Sequence, residues 1–150
     1  MKILMLDRSI GFDPKDREAR PLGSRQRGFI ALAEALVARG HKVEARRNGG
    51  IDLDHNAVAW RQLDSAMPPF GGDPVDRVLV WRDAELLRHP SIPDGVDCWL
   101  WFDGLAPELN ADKARLALLE TGALVIFVHE DQGKAFDGET AKRPVVIAPG

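Results

Sequence analysis

The sequence predicts a single α/β domain, in which a doubly wound, mostly parallel sheet carries helices on both faces in a Rossmann-like arrangement. Three observations support this fold class. The apolar run Lys2–Asp7 ends at an acid, a helical pattern follows at residues 24–40, and extended character resumes at residues 41–46. A strand, a helix and a strand in this order form a crossover, which pairs the two strands in parallel. Later apolar runs are unbroken, as in strands that are buried on both faces.

The first strand leads into a polar stretch, residues 8–23, that is long for a loop in a compact domain. Loops of this length are usually functional or mobile. Ser24 can cap the helix that follows, in which apolar residues recur at every third or fourth position. Gly40 then ends this helix.

The rest of the chain alternates between predicted strands and a further helix. Alanine and leucine side chains line one side of that helix, and Gly122 closes it. Trp99 and Trp101 share one face of a strand and, like Trp60 and Trp81, are interpreted as core residues. The strands are predicted at residues 57–63, 77–81, 98–102, 123–128 and 144–148, and the helix at residues 110–120.

Composition excludes several classes of protein. The 150 residues include 45% hydrophobic and 29% charged residues, which suits a globular domain and not a disordered chain. A net charge of -3 argues against nucleic acid as the main partner. Cys98 is the single cysteine, so no intramolecular disulfide can form, and a reducing cytoplasm is expected. No apolar run is long enough for an export signal or a membrane span.

Several well-known motifs are absent from the sequence. The turn after the first strand has no G-x-G-x-x-G, and no G-x-x-x-x-G-K-[ST] occurs, which makes dinucleotide binding and P-loop chemistry unlikely functions. The histidines and carboxylates show no metal-ligand spacing, and no G-x-S-x-G marks a nucleophile. We therefore predict no metal site and assign no catalytic residue from motifs.

The start of the first helix is one candidate ligand site. Gly23 and Ser24 would offer free backbone N–H groups at the positive end of the helix dipole, next to Arg25. Positions 8 to 27 contain six basic residues and three acidic ones. This segment therefore suits an anion or a group of hydroxyls, unless it is simply a solvated loop.

The carboxyl edge of the sheet is the second candidate site, because ligands of doubly wound sheets bind there. Arg82 and Asp83 follow one predicted strand, and Asp103 follows another. His129 and Glu130 follow the most hydrophobic strand and could act as a base and a carboxylate partner. Each of these side chains could instead be structural.

The order of segments resembles the N-terminal domain of GT-B glycosyltransferases, particularly their large retaining family. The opening strand M-K-I-L-M-L-D and the stretch P-L-G-S-R-Q-R-G-F-I-A-L-A-E-A-L-V-A-R-G-H-K-V carry the best match. Further similar segments are R-V-L-V-W-R-D-A-E-L-L, W-L-W-F-D-G-L, A-L-V-I-F-V-H-E-D-Q-G-K-A-F and V-V-I-A-P-G. Relatives often carry a histidine near the position of Asp103, and a serine where this chain has His129.

The resemblance implies a division of labour between two domains. The N-terminal domain holds a sugar or glycolipid-type acceptor, while a C-terminal domain holds the nucleotide sugar that is the donor. This chain would be the first half, without a cofactor of its own and inactive alone. Its partners would be the missing C-terminal domain or a partner subunit, and a second copy of the chain is a further expected partner.

Two other functions stay open at this point. One is a non-enzymatic binding or signalling module, for instance a receiver-like domain that uses Asp7 and Asp83. Such a domain normally carries an acidic pair after its first strand, whereas here Arg8 follows Asp7. The other is a partner subunit whose second half is a separate chain.

Overall fold

The computed structural model describes residues 1–9, 11–16, 21–138 and 140–147 of the chain. It has an α/β fold with an eight-stranded, mostly parallel sheet of order β3-β4-β2-β1-β5-β6-β7-β8, in which the strands are numbered along the chain. From β1 the chain first adds strands on one side and then on the other, which is the double winding that the sequence predicts. The predicted fold class is confirmed.

Two compact units make up the chain, Met1–Val78 and Leu79–Gly150. The first contains β1 (Lys2–Asp7), α1 (Ser24–Ala38), β2 (Lys42–Arg47), β3 (Leu53–His55), β4 (Val58–Gln62) and a 3-10 turn at Pro69–Gly72. Strand β5 (Arg77–Trp81) crosses the boundary. The second contains a 3-10 turn at Ala84–Arg88, β6 (Asp97–Phe102), α2 (Ala106–Leu109), α3 (Asp112–Thr121), β7 (Leu124–Phe127), α4 (Glu130–Ala135) and β8 (Val145–Val146).

The apolar core of the first unit lies between β2 and α1. Phe29, Ile30 and Ala33 are the buried residues of α1, and their spacing is that of a single helix face. Phe29 makes edge-to-face contacts with Phe12 and Trp60 at centroid distances of 6.3 and 6.1 Å. Phe12 thus anchors the described part of the long loop, whose residues 10 and 17–20 lie outside the described residues.

The opposite face of β2 carries a buried ion pair. Glu44 and Arg46 lie two residues apart on one face of the strand, and Arg46 Nε donates to Glu44 Oε1 at 2.8 Å. Arg46 also donates to the carbonyl oxygens of Ser65 and Met67, while the backbone N–H of Phe70 donates to Glu44 Oε2. We call residues 65–72 the strap, because this pair holds them against the sheet.

Two elements of the first unit were not predicted. Strand β3 pairs antiparallel with β4 through a two-residue turn in which Asn56 and Ala57 both have positive φ, of 50° and 59°. Such turns usually carry glycine at the second position, so Asn-Ala gives a weak hairpin signal. The short 3-10 turn at Pro69–Gly72 also gives no periodic pattern.

The second unit is built around β6 and β7, which pair in parallel from Trp99 and Leu124 onward. Cys98, Leu100 and Phe102 are the buried residues of β6, and Phe102 packs edge to face on Phe127 at 6.3 Å. Trp99 and Trp101 lie on the other face and are only half-buried, so the core interpretation holds in part: Trp101 stacks on the buried Trp81 at a centroid distance of 5.5 Å. Trp60 and Trp81, 0% and 4% exposed, are core residues as predicted.

Element boundaries shift by a few residues from the prediction. The second predicted helix starts two residues later than expected, because Ala106–Leu109 forms a separate turn of helix before it. The last strand is confined to Val145–Val146 instead of residues 144–148, of which Ala148 lies outside the described residues. In the described ranges, no helix has the length and apolar character that crossing a bilayer requires.

Candidate functional site

A γ-turn at Arg82 ends β5 and starts the candidate site. The backbone N–H of Asp83 donates to the carbonyl of Trp81 at 2.8 Å, and Arg82 between them has a φ of 64°. This type of turn is rare, and a non-glycine residue in it costs of order 1–3 kcal/mol. The N–H of Arg82 itself donates to Trp101 O at 2.7 Å, so β6 holds the turn in place.

The side chain of Arg82 pairs with Asp103, which follows the adjacent strand β6. Arg82 Nε lies 2.9 Å from Asp103 Oδ1, and the two side chains are 14% and 27% exposed. Oδ1 is buried yet accepts no well-directed hydrogen bond, so the contact is an ion pair without ideal geometry. Each side chain therefore keeps hydrogen-bonding capacity beyond this pair.

Gly104 lets these groups and Glu108 approach the backbone closely. A methyl group on Gly104 would lie 2.8 Å from Glu108 Oε2 and from Phe102 Cζ, and 3.0 Å from Arg82 Nη2. A side chain at this position would therefore overlap the surrounding atoms, so the close approach of the two charged groups requires glycine. Glu108 itself is exposed and belongs to α2.

Gln132 connects this region to the end of β7. Its Nε2 donates to the carbonyl of Gly104 at 2.7 Å, while its Oε1 accepts from the backbone N–H groups of Val128 and His129. One amide side chain thus fixes the loop after β6 to the loop after β7. We call Arg82, Asp103, Gly104, Glu108 and Gln132 the carboxyl-end cluster.

The cluster can hold a ligand that carries several hydroxyl groups. It offers guanidinium and amide donors beside carboxylate acceptors, and a hydroxyl can both donate and accept. Leu105, 72% exposed, adds an apolar surface next to Gly104. Sugars combine these two requirements, because their rings have hydroxyl edges and apolar C–H faces.

Three predicted residues of the carboxyl edge lie outside the contacts that define this cluster. Asp83 Oδ1 accepts from the N–H of Glu85 and so caps the following 3-10 turn. His129 is the residue before α4, and its imidazole is exposed. Glu130 is also exposed and lies 3.5 Å from Lys134 in an ion pair along the helix. No contact shown for the described residues brings these three side chains into the cluster.

The predicted site at the start of α1 is only partly supported. Gly23, Ser24 and Arg25 are all exposed at the helix N-terminus, as expected. However, the N–H of Gly23 donates to Gln26 Oε1 at 2.8 Å, so this group is already satisfied. The expectation of a free N–H at Gly23 was therefore wrong, and the signal was a glutamine three residues later.

Sequence reasoning also missed a buried arginine in the first unit. Arg47 is 0% exposed and donates to the carbonyl oxygens of Phe12, Ile51 and Arg61 at 2.9–3.2 Å. Desolvation lowers the pKa of this guanidinium, while Asp13 and Asp52 act in the opposite direction. Arg47 fastens two loops to β4 and so has a structural role.

The missed members of the cluster were harder to find. Gln132 follows the predicted strand at residues 123–128 and lies in a segment quoted for the resemblance, but nothing in the sequence assigns it a contact. Glu108 lies in a region without periodicity. Their spacing from Gly104 carries no motif. In the part of the chain that the structure describes, no three histidine, cysteine or acidic side chains are arranged to hold a metal ion.

Comparisons with known proteins add no family to this picture. No family model matches the chain, and searches of curated proteins and of solved structures also give no match.

Proposed function

We propose that the carboxyl-end cluster binds a sugar-type acceptor, and that the chain acts as the acceptor-binding half of a GT-B-type glycosyltransferase. The observation that carries the proposal is that four polar side chains meet at Gly104. Arg82 and Glu108 lie close to its Cα, Asp103 pairs with Arg82, and Gln132 donates to its carbonyl. The sequence resemblance supports the second part of the proposal. Both parts can be tested separately.

The charge of the cluster favours a neutral ligand over an anion. Asp103 and Glu108 supply two carboxylates, whereas Arg82 is the only cationic member of the cluster. A phosphate or carboxylate ligand would therefore meet a net negative charge. Hydroxyl groups have no such penalty and gain charge-assisted hydrogen bonds, which are stronger than neutral ones.

Catalysis on this proposal requires a second domain that holds the nucleotide sugar. That domain would belong to the same polypeptide or to a partner subunit. The chain described here would bind and orient the acceptor hydroxyl, and the single buried Cys98 suits the reducing cytoplasm in which such an enzyme would work.

A receiver-like function has less support. Asp7 is 2% exposed, and its carboxylate accepts from the backbone N–H and from the hydroxyl of Ser9. A phosphate-accepting aspartate must be reachable by its phosphodonor. Asp7 is instead used to fold the start of the loop after β1.

The proposal is tested by titrating ¹⁵N-labelled protein with a panel of neutral mono- and disaccharides. We expect saturable shifts at the backbone amide of Gly104 and at the side-chain amide of Gln132. Asp103→Asn and Glu108→Gln should each weaken binding about tenfold, because each replaces a charged acceptor worth about 1.5–3 kcal/mol by a neutral one worth about 0.5–1.5 kcal/mol. Asp112→Asn removes an exposed carboxylate of the same unit and serves as the matched control.

Two results would contradict the proposal. One is the absence of any saturable shift in the cluster across the panel. The other is a sugar whose affinity for Asp103→Asn and Glu108→Gln equals its affinity for the Asp112→Asn control.

A further inference from the structure

A second recess of the Leu79–Gly150 unit lies at the opposite end of β6 from the carboxyl-end cluster. It has a volume of about 770 Å³, within the range of small-molecule sites. Asp97 and Cys98, the first residues of β6, line it together with Gly122 after α3. The strand separates it from Phe102 by roughly 16 Å, so it is a different site. We call it the amino-end groove.

One wall of the groove is a loop that its own contacts make rigid. The N–H of Ile92 donates to the carbonyl of His89 at 2.9 Å, and the N–H of Ser91 donates to His89 Nδ1 at 3.3 Å. Pro90 and Pro93 restrict the backbone further. A wall that is already ordered loses little entropy when a ligand binds.

The rim of the groove carries both signs of charge. Arg88 Nη2 lies 2.8 Å from Glu120 Oε2, and Lys142 Nζ lies 2.6 Å from Asp97 Oδ1. All four side chains are between 40% and 60% exposed. Ion pairs that are this exposed contribute little to stability, so a ligand with charges of its own can exchange with them at small cost.

Apolar residues form one part of the lining, which we call the floor of the groove. Leu87 and Cys98 are 2% and 5% exposed, and Ile92 and Val96 lie beside them in the lining. Burial raises the pKa of the Cys98 thiol to about 11, so the thiol is uncharged at neutral pH. The groove thus combines an apolar floor with a rim of paired charges.

We infer that the amino-end groove binds a compact zwitterion, namely an α-amino acid with an apolar side chain. Its carboxylate pairs with the guanidinium of Arg88, which offers a planar pair of N–H donors. Its ammonium pairs with the carboxylate of Asp97, and its side chain contacts the floor at Ile92 and Cys98. A neutral sugar would bring no charge to replace the partner lost from a rim ion pair, and an anion would meet the carboxylates.

Titration of the ¹⁵N-labelled chain with L-leucine tests the inference. Gly95 and Gly122 lie in the wall of the groove and give separate reporters, while Gly40 has no atom within 4 Å of its Cβ position and is the internal control. We expect saturable shifts at Gly95 and Gly122 below about 20 mM ligand, the range of a weak metabolite site. L-leucinamide lacks the carboxylate, 4-methylpentanoate lacks the ammonium, and neither should saturate.

Variants separate specific binding from nonspecific association. Arg88→Gln and Asp97→Asn should each weaken L-leucine binding at least about tenfold, whereas the exposed Lys113→Gln should bind as the parent chain does. L-leucine should also slow alkylation of Cys98, the single thiol. The inference is overturned if neither glycine shows a saturable shift with L-leucine. It is also overturned if both truncated probes bind as tightly as L-leucine, or if both rim variants bind L-leucine as tightly as the parent chain does. Sugar binding at the carboxyl-end cluster is unaffected by either outcome.

Discussion

Replacing Glu44 by Gln tests whether the buried ion pair of β2 holds the strap. The substitution keeps the shape of the side chain but leaves the guanidinium of Arg46, 1% exposed, without its counter-charge. Removing one partner of a buried pair costs about 3–5 kcal/mol. Glutamine retains one acceptor oxygen for Arg46 Nε or for the N–H of Phe70, so we expect the lower end, about 3 kcal/mol.

Asp54→Asn provides the matched control, because Arg61 and Asp54 form an arginine–carboxylate pair in the same unit with side chains 29% and 75% exposed. Such a pair contributes about 0–1 kcal/mol. Urea unfolding followed by far-UV circular dichroism and tryptophan fluorescence measures both free energies of unfolding. Salt near 1 M should abolish the small effect of Asp54→Asn and leave that of Glu44→Gln. A Glu44→Gln cost within about 1 kcal/mol of the control would refute the reasoning.

Four further outcomes are expected. Gly104→Ala should destabilise the chain by about 1–3 kcal/mol in the same urea assay, because its methyl group would overlap Phe102. Gly23→Ala is the control, since its methyl group meets only the flexible side chain of Gln26 at 3.2 Å. Equal stability of the two variants would argue against close packing at Gly104. The alkylation rate of Cys98 should have its pH midpoint near 11 in the native chain and near 9.0 in the urea-unfolded chain. The contribution of the protonated thiol to the free energy of unfolding is therefore fully present below pH 9 and is lost as the pH rises toward 11. The hydrogen bond from Lys2 lowers the pKa of Asp73 below its ordinary value of 3.8. Lys2→Met should therefore raise the pKa of Asp73 in an NMR titration. An unchanged pKa would show that the hydrogen bond does not form in solution. Mixed with nucleotide sugars and acceptors, the chain alone should show no transfer or hydrolysis by product chromatography, and turnover would refute its proposed role as an acceptor-binding half.

Regular elements were predictable wherever hydrophobic pattern alone decides the structure. The apolar runs of β1 and β5 have the predicted bounds. The first helix is present as predicted, but its N-cap is Gly23 and Ser24 is its first residue, so the expected capping role of Ser24 was wrong. The pattern does not report which face of β6 is more buried, because its tryptophans and its smaller residues are all apolar. Burial there depends on what packs against each face, and the alternation of Trp99 and Trp101 contains no such information.

The carboxyl-end cluster was predictable only where its members end a strand. Arg82 and Asp103 follow strands directly, so the rule for doubly wound sheets points to them. Glu108 and Gln132 reach Gly104 through the path of two loops, which no local pattern encodes. Charge alone suggests that Arg46 and Arg47 are exposed. Both are buried, because carbonyl groups from distant parts of the chain accept hydrogen bonds from their guanidinium groups.

Two consecutive arginines, with their guanidinium groups on opposite faces of β2, affect how the first unit tolerates insertions. Surface loops usually accept added residues. Here the carbonyls of Ile51 and Met67 accept hydrogen bonds from the buried guanidinium groups of Arg47 and Arg46. Lengthening either loop would move an acceptor away from a guanidinium that cannot reach water. The segments around these two residues are therefore poor places for an inserted tag or a new chain terminus, although both lie between strands. The β3–β4 turn at Asn56, which holds no such acceptor among the contacts described, is the better site.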